Sequence, residues 1–172
     1  MTPNGERVRS GQQGQSRQGG ETALDAVDWA SIHHTIEEEV GVVLFTVLRF
    51  TQGGEVMERI YSSHADEYPV GGTKQVATQV SPDWVAACRD SGEPFLGATP
   101  ADLDRIFDDA STIKALGCGS ILNVPIPGPD GAPLATVNMC APEGTYTPTA
   151  QERAVQIIDT GVESAKQQGA SA

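Results

Sequence analysis

The sequence is poor in cysteine, in basic residues and in long hydrophobic runs, and each scarcity excludes a class of protein. Its 172 residues include three cysteines, Cys88, Cys118 and Cys140, and no two of them form a C-x-x-C pair. We therefore expect reduced thiols rather than a zinc site or a disulfide framework. No apolar run approaches the roughly 18 residues of a membrane-spanning helix, and the first residues lack the apolar segment of a signal peptide. These absences predict a cytoplasmic protein.

Basic residues are outnumbered by acidic ones. Lysine and arginine together number 11 against 23 aspartates and glutamates, which gives a formal net charge of -12. A surface this acidic repels the phosphates of nucleic acids and the anionic headgroups of membranes. We therefore expect neither nucleic acid nor a membrane as a partner.

Apolar side chains are also scarce in the first 21 residues, which consist mainly of Gly, Gln, Ser and Arg. Such a segment buries too little surface to offset the entropy that ordering costs. We interpret residues 1–21 as a disordered tail, residues 22–168 as one folded domain and residues 169–172 as a disordered end.

What the sequence does contain is regular apolar periodicity. Apolar residues repeat every three or four positions over 29–40, and again after Thr147-Pro148, which predicts an amphipathic helix at each end of the domain. Two pairs of segments rich in β-branched and aromatic residues flank short glycine turns, and each pair predicts a β-hairpin. The pairs are 42–50 with 55–63, and 121–126 with 133–140.

The stretch between the hairpins predicts mainly loops and helices. It comprises a polar loop over 64–79, a short helix capped by Ser81 and ending near Gly92, a short strand over 94–98, and one longer helix over 99–116. Strands toward both ends with helices between them favour an α+β fold, in which an antiparallel sheet carries helices on both faces.

Residue alternation along the hairpins predicts what each face of this sheet contains. In the second hairpin one face is wholly apolar, whereas the other carries Asn123 and Asn138. In the first hairpin a regular register places Arg59, Tyr61 and Ser63 on one face. A face that mixes apolar surface with amides, hydroxyls and a guanidinium is typical of a small-molecule pocket. We expect the helices between the hairpins to cover this face.

Several runs of residues resemble the GAF family. They are LGCGSILNVPI over 116–126, GAPLATVN over 131–138, and Tyr146-Thr147-Pro148 at the start of the last helix. The runs RIYSSH over 59–64 and YPVGG over 68–72 resemble small stand-alone bacterial GAF-domain proteins. The resemblance implies a PAS-related α+β fold and a cytoplasmic sensor that reports through a partner, often as a homodimer built on the first and last helices.

The resemblance also implies where a ligand would lie, namely between the sheet and the intervening helices and loops. On this sequence that region comprises Tyr61, Ser63, Tyr68, Trp84, Phe107, Ser120, Asn123 and Asn138, to which the strand alternation adds Arg59. Because a guanidinium pairs with two carboxylate oxygens at once, Arg59 predicts a small anionic or zwitterionic ligand.

The identity of the ligand does not follow from the resemblance, because GAF domains hold cyclic nucleotides, tetrapyrroles, haem, amino acids and aromatics in the same place. The sequence lacks the Asn-Lys-Phe-Asp-Glu pattern of the cyclic-nucleotide-binding members and a cysteine placed like the chromophore attachment site of phytochromes. Haem would need an axial histidine, for which the candidates are His33, His34 and His64. We expect no metal and no cofactor, with haem as the less favoured alternative.

A small catabolic enzyme is the alternative to a binding module. Cys118 follows a helix end and His64 ends the second strand, so the two residues are candidates for a thiolate–imidazole pair at the pocket. Free-methionine sulfoxide reductase activity is disfavoured, because Ile113-Lys114-Ala115 and the loop over 70–74 hold no cysteine where that activity needs one.

Overall fold

The computed structural model describes Gly19 and residues 23–170. The predicted tail over 1–21 therefore lies outside the described residues, apart from Gly19, and so do residues 171 and 172. The last helix continues to Ala170, past the predicted domain end at Gln168. None of the described helices combines the length and the apolar composition that crossing a membrane requires.

The described chain alternates strands with helices around one sheet. The helices are α1 (Trp29–Glu39), α2 (Val76–Gln79), α3 (Pro82–Trp84) with a π-helical continuation (Val85–Ser91), α4 (Pro100–Ile106), α5 (Ala110–Ala115) and α6 (Pro148–Ala170). The strands are β1 (Leu44–Thr51), β2 (Val56–Ser62), β3 (Thr73–Gln75), β4 (Phe95–Gly97), β5 (Ser120–Pro127) and β6 (Pro133–Ala141). Neighbouring strands pair antiparallel in the order β3-β2-β1-β6-β5-β4, which confirms the predicted α+β sheet.

One face of the sheet packs against α1 and α6. Leu122 pairs with Met139 and Val124 with Val137, as the alternation predicts, and all four side chains are buried in one apolar core. Close contact between the two helices requires Gly161 of α6, because a Cβ atom there would lie 2.5 Å from the Ile32 side chain of α1.

The other face of the sheet is covered by the elements between the two hairpins. Trp84 of α3, Leu103 of α4 and Ile113 of α5 are buried there in a second core, together with Leu48 of β1. The expectation of helices on both faces is therefore confirmed.

The predicted single helix over 99–116 is wrong, because it is broken into α4 and α5. Phe107 has an extended backbone (φ -122°, ψ 140°) and forms an antiparallel bridge with Val80. Asp109, also in the break, accepts a hydrogen bond from Lys74 of β3. These long-range bonds outweigh the local helical periodicity.

The predicted loop over 64–79 contains two regular elements, β3 and α2. β3 escapes detection because its Thr-Lys-Gln sequence is short and polar, although it pairs with β2 at the edge of the sheet. The predicted helix start is confirmed, because Ser81 is the N-cap residue and Pro82 is the first helical residue. The Ser81 hydroxyl donates to the Asp83 carboxylate, however, instead of accepting a cap hydrogen bond. The predicted stop at Gly92 is confirmed by its left-handed conformation (φ 66°).

The regular register predicted for the first hairpin is also wrong. β1 and β2 shift register at a β-bulge, where Leu48 pairs with Arg59 but Val47 pairs with Tyr61, so that Ile60 is the extra residue. One inserted residue reverses the alternation beyond it. Arg59 therefore faces the second core, whereas Tyr61 faces α1.

Replacing Val137 by Asp should bury an unpaired carboxylate and lower the free energy of unfolding by about 3 kcal/mol or more, since Val137 is fully buried. Urea unfolding measures the change. Thr149→Asp, at an exposed position, is the control and should stay within about 0.5 kcal/mol of wild type. An unchanged midpoint for Val137→Asp would contradict the core assignment.

Gly161→Ala should destabilise the protein even though alanine is the better helix former, because its methyl group overlaps Ile32 and over-packing costs about 1–3 kcal/mol. Gly169→Ala, in the same helix with nothing within 4 Å of the added Cβ, should be neutral or slightly stabilising. Melting temperatures of the two variants test the helix contact, which is disproved if both change alike.

Candidate functional site

A cavity lies between the sheet and the elements that cover its polar face. The volume open to the centre of a water molecule is about 40 Å³, within about 440 Å³ of empty space. Since one water needs roughly 10–15 Å³ of such volume, the cavity has room for a few atoms rather than for a large cofactor. Its polar lining comes from Thr46, Arg59, Tyr68, Lys74, Asp109, Asn123 and Asn138.

A larger groove, about 360 Å³ by the same measure, lies beside the turns of the two hairpins. Its arginine, Arg89, is already paired with Asp90 at 2.8 Å. The smaller cavity is the stronger candidate because its polar groups are buried and partly without partners, as described below.

Most of the residues predicted to bind a ligand do line the small cavity. They are Arg59, Tyr68, Trp84, Phe107, Asn123 and Asn138. Elements distant in the sequence bring them together. They are the strands β2, β5 and β6, the 64–72 loop, and the helical segments on the polar face.

Three predicted residues do not line the cavity. Tyr61 is turned toward α1 by the β-bulge, and the Ser63 hydroxyl accepts a hydrogen bond from the Phe45 amide at 2.9 Å. Ser120 donates its hydroxyl to the Ala141 carbonyl at 3.1 Å. Ser120 has the parity of the apolar residues of β5, so alternation alone would have placed it on the core face.

Arg59 carries a buried positive charge. Its side chain is 7% exposed, and its Nη1 atom donates to the Pro69 carbonyl at 3.1 Å. The guanidinium lies 5.0 Å from the centre of the Tyr68 ring. It forms no ion pair within 4.0 Å with any described residue. Burial lowers the pKa of Arg59 from its usual high value, but the group stays charged. A buried charge without a partner is costly.

The loop that follows β2 is shaped around this arginine. The Arg59 amide donates to the Gly72 carbonyl, and the Gly71 amide donates to the Arg59 carbonyl, both at 2.8 Å. A Cβ atom on Gly72 would lie 2.6 Å from Nη1 of Arg59, so only glycine leaves the guanidinium its place. The glycines that predict a shaped loop thus serve to seat a side chain.

Sequence reasoning missed an ionic group beside the cavity, centred on Asp109. Lys74 donates to one carboxylate oxygen at 2.7 Å and the Tyr68 hydroxyl to the other at 2.8 Å. Burial by itself would raise the pKa of Asp109, but the Lys74 charge and the two hydrogen bonds outweigh it and lower the pKa. No sequence pattern points to Lys74 or Asp109. Lys74 lies in β3, whose residues show no strand pattern, and Asp109 lies where the break interrupts a helical pattern.

A network of amides and hydroxyls crosses three strands at the floor of the cavity. Asn138 accepts hydrogen bonds from the Asn123 amide and from the Thr136 hydroxyl, the latter at 3.1 Å. Its own amide donates to Thr46 of β1 at 3.4 Å. These bonds hold Asn123 and Asn138 in fixed orientations.

Three buried side-chain polar atoms lack a hydrogen-bond partner among the described residues, and all three belong to residues that line this cavity. They are Nε of Arg59, Nε1 of Trp84 and Oδ1 of Asn123. Trp84 is 1% exposed and Asn123 is 0% exposed, so bulk water does not satisfy them. Because buried polar groups are nearly always hydrogen-bonded, these two donors and one acceptor set this cavity apart from the rest of the described structure.

The predicted thiolate–imidazole pair does not form. A hydrogen bond with the Cys140 thiol lowers the pKa of Cys118 and raises that of Cys140. Cys140 lines the cavity, whereas Cys118 does not. His64 contacts the Ser63 hydroxyl at 2.9 Å, and none of the described contacts joins it to Cys118.

None of the three histidines proposed for haem lines the cavity. His33 contacts the Tyr61 hydroxyl at 3.1 Å, His34 contacts Glu38, and His64 contacts Ser63. The described residues also hold no cluster of three or more His, Cys, Asp or Glu side chains suited to a metal ion.

No protein-family model and no curated protein matches this sequence. Solved structures do match. The GAF domain/HD domain protein from Geobacter sulfurreducens is 9% identical, with a TM-score of 0.64 over 84% of this chain and 96% of that chain. The GAF domain of a two-component sensor histidine kinase from Bacillus halodurans is 13% identical, with a TM-score of 0.57 over 83% of this chain and 99% of that chain.

A third match is the phycoerythrobilin-bound GAF domain from a cyanobacterial phytochrome, which is 14% identical with a TM-score of 0.53 over 94% of this chain and 96% of that chain. Identities this low carry information on architecture alone. The matched structures agree with the element order, the six-stranded antiparallel sheet and the helices on both faces. The chain therefore has the GAF-domain fold.

Proposed function

We propose that this protein binds a small anionic or zwitterionic organic molecule in the cavity and acts as a sensor module. The observation that carries the proposal is the set of three buried, unpartnered polar atoms, all on residues that line one cavity. Such atoms lower stability unless something pairs with them. A bound molecule with hydrogen-bond acceptors and a donor would remove that cost.

The charges around the cavity favour an anion. Arg59 and Lys74 contribute two positive charges and Asp109 one negative charge, so the lining has a net charge of +1. The protein as a whole carries -12, so distant charges repel an approaching anion rather than steer it in. Affinity would therefore depend on pairing with Arg59 at the site itself. Because no long-range attraction adds to it, such a site suits a small molecule that is present at high concentration.

The sensor role rests on the fold. GAF domains of a sensor histidine kinase and of a phytochrome share this architecture, and the latter is bound to phycoerythrobilin. We do not extend the bilin to this chain, because a tetrapyrrole is far larger than the space in the cavity. A smaller molecule in the same architecture, reporting through a partner protein, fits the residues better.

A homodimer through α1 and α6 and a cytoplasmic location complete the proposal. The exposed large hydrophobic residue of the described chain is Val70, which lies on neither helix, so such a dimer would rest on polar contacts. Cys88, Cys118 and Cys140 are free thiols, which suits a reducing compartment.

Replacing Arg59 by Met should weaken binding of small carboxylates at least about ten-fold, because their charge-assisted partner is removed. A thermal-shift screen of two- to four-carbon carboxylates and amino acids, followed by calorimetry on the hits, measures this. Arg49→Met is the matched control: Arg49 lies on the other face of the sheet, paired with Glu58 at 3.1 Å, and should leave binding unchanged.

The proposal is disproved if hits bind wild type and Arg59→Met equally. It is also disproved if the cavity takes only neutral apolar compounds. Equal loss of binding in both arginine variants would show that the effect is one of overall charge and not of this site.

A further inference from the structure

We infer that the ligand is a hydroxy-substituted monocarboxylate of two or three carbon atoms, rather than an amino acid or a dicarboxylate. The inference rests on the proposed binding function and narrows its ligand class. It follows from counting the donors, acceptors and charges that the cavity leaves without partners.

The donor side matches one carboxylate. The free donors are Nε of Arg59, which is charged, and Nε1 of Trp84, which is neutral. A carboxylate accepts two or more hydrogen bonds, and its pairing with a guanidinium is among the strongest available in a protein. A single carboxylate has acceptors enough for both donors and a charge that neutralises Arg59.

The acceptor side matches a hydroxyl group better than an ammonium. The free acceptor is Oδ1 of Asn123, which is a neutral amide oxygen. The carboxylate of Asp109 already accepts one hydrogen bond at each oxygen, from Lys74 and from Tyr68, and the Lys74 charge balances its own. An ammonium brings three protons and a charge into a site that offers one neutral acceptor, whereas a hydroxyl brings one proton.

The charge balance excludes a second carboxylate. Lys74 lies 2.7 Å from Asp109, so these two charges compensate each other and leave Arg59 as the uncompensated charge of the lining. A dianion would therefore retain one negative charge without a partner and close to Asp109. Asp109 acts here as a specificity-determining residue through its negative charge, although each of its oxygens already accepts a hydrogen bond.

The size of the cavity limits the carbon skeleton. About 40 Å³ open to water centres corresponds to roughly three water molecules. Acetate, glycolate, glycine and oxalate share a two-carbon skeleton and differ in hydroxyl, ammonium and second carboxylate. They are therefore the four probes of choice, used up to millimolar concentration because ligands of this size bind weakly.

The protein has two tryptophans, which allows binding to be followed at the site. Trp29 donates its indole N–H to the Leu24 carbonyl at 3.2 Å in the other core. The indole N–H of Trp84 has no hydrogen-bond partner among the described residues. In ¹⁵N–¹H spectra the Trp84 indole signal should shift on titration, and the Trp29 signal should remain in place. Trp84→Phe assigns the two signals.

The expected order of affinity is glycolate above acetate by roughly two- to ten-fold, the contribution of one hydrogen bond. Glycine and oxalate should bind at least about ten-fold more weakly than glycolate. The wild-type series tests the inference without any variant, and glycine or oxalate binding as tightly as glycolate would overturn it.

Two variants test the residues. Asn123→Ala should abolish the preference for glycolate over acetate while acetate still binds, and Asp109→Asn should raise oxalate affinity relative to glycolate. If both ratios stay at their wild-type values, the inference fails. If larger anions shift the Trp84 signal but glycolate does not, the inference fails and the proposed function stands; if no screened molecule shifts it, the proposed function fails as well.

Discussion

A buried guanidinium that no described carboxylate approaches within ion-pair distance is the feature around which the polar face of this sheet is built. Arg59 is held by the Pro69 carbonyl, by the ring of Tyr68 and by a loop whose Gly72 leaves it room. The same loop carries Tyr68 to Asp109, and Asp109 in turn holds the edge strand β3 through Lys74. Covering one charged side chain thus connects the sheet, the loop and the helix break into one arrangement.

The two faces of the sheet contribute unequally to stability. The face toward α1 and α6 is filled with apolar side chains, among them Val137 and Met139 at 0% exposure, and contributes the larger share of the hydrophobic free energy. The face toward α3, α4 and α5 accepts polar atoms that lack partners, which lowers stability locally. The apolar face offsets that cost.

A single inserted residue decides which side chains reach the cavity. The bulge at Ile60 sends Arg59 to one face and Tyr61 to the other, whereas a regular hairpin would have kept them together. The consequence is that the phenol ring beside Arg59 is that of Tyr68, from the loop after β2, and not that of Tyr61. Tyr61 instead contacts His33 and the ring of Phe45 on the side of α1.

The sequence by itself determined the fold class, the apolar core and three residues of the cavity, Arg59, Asn123 and Asn138, because these follow from alternation and periodicity that neighbouring residues carry. The family resemblance added Tyr68, Trp84 and Phe107. Asn123 and Asn138 are correctly placed since β5 and β6 keep a regular register where they face each other. The bulge, the break at Phe107, the edge strand β3 and the roles of Lys74 and Asp109 were decided only by the tertiary structure. Each depends on bonds between residues far apart in the chain. The free energy of these bonds exceeds local propensity, and they leave no pattern among neighbouring residues.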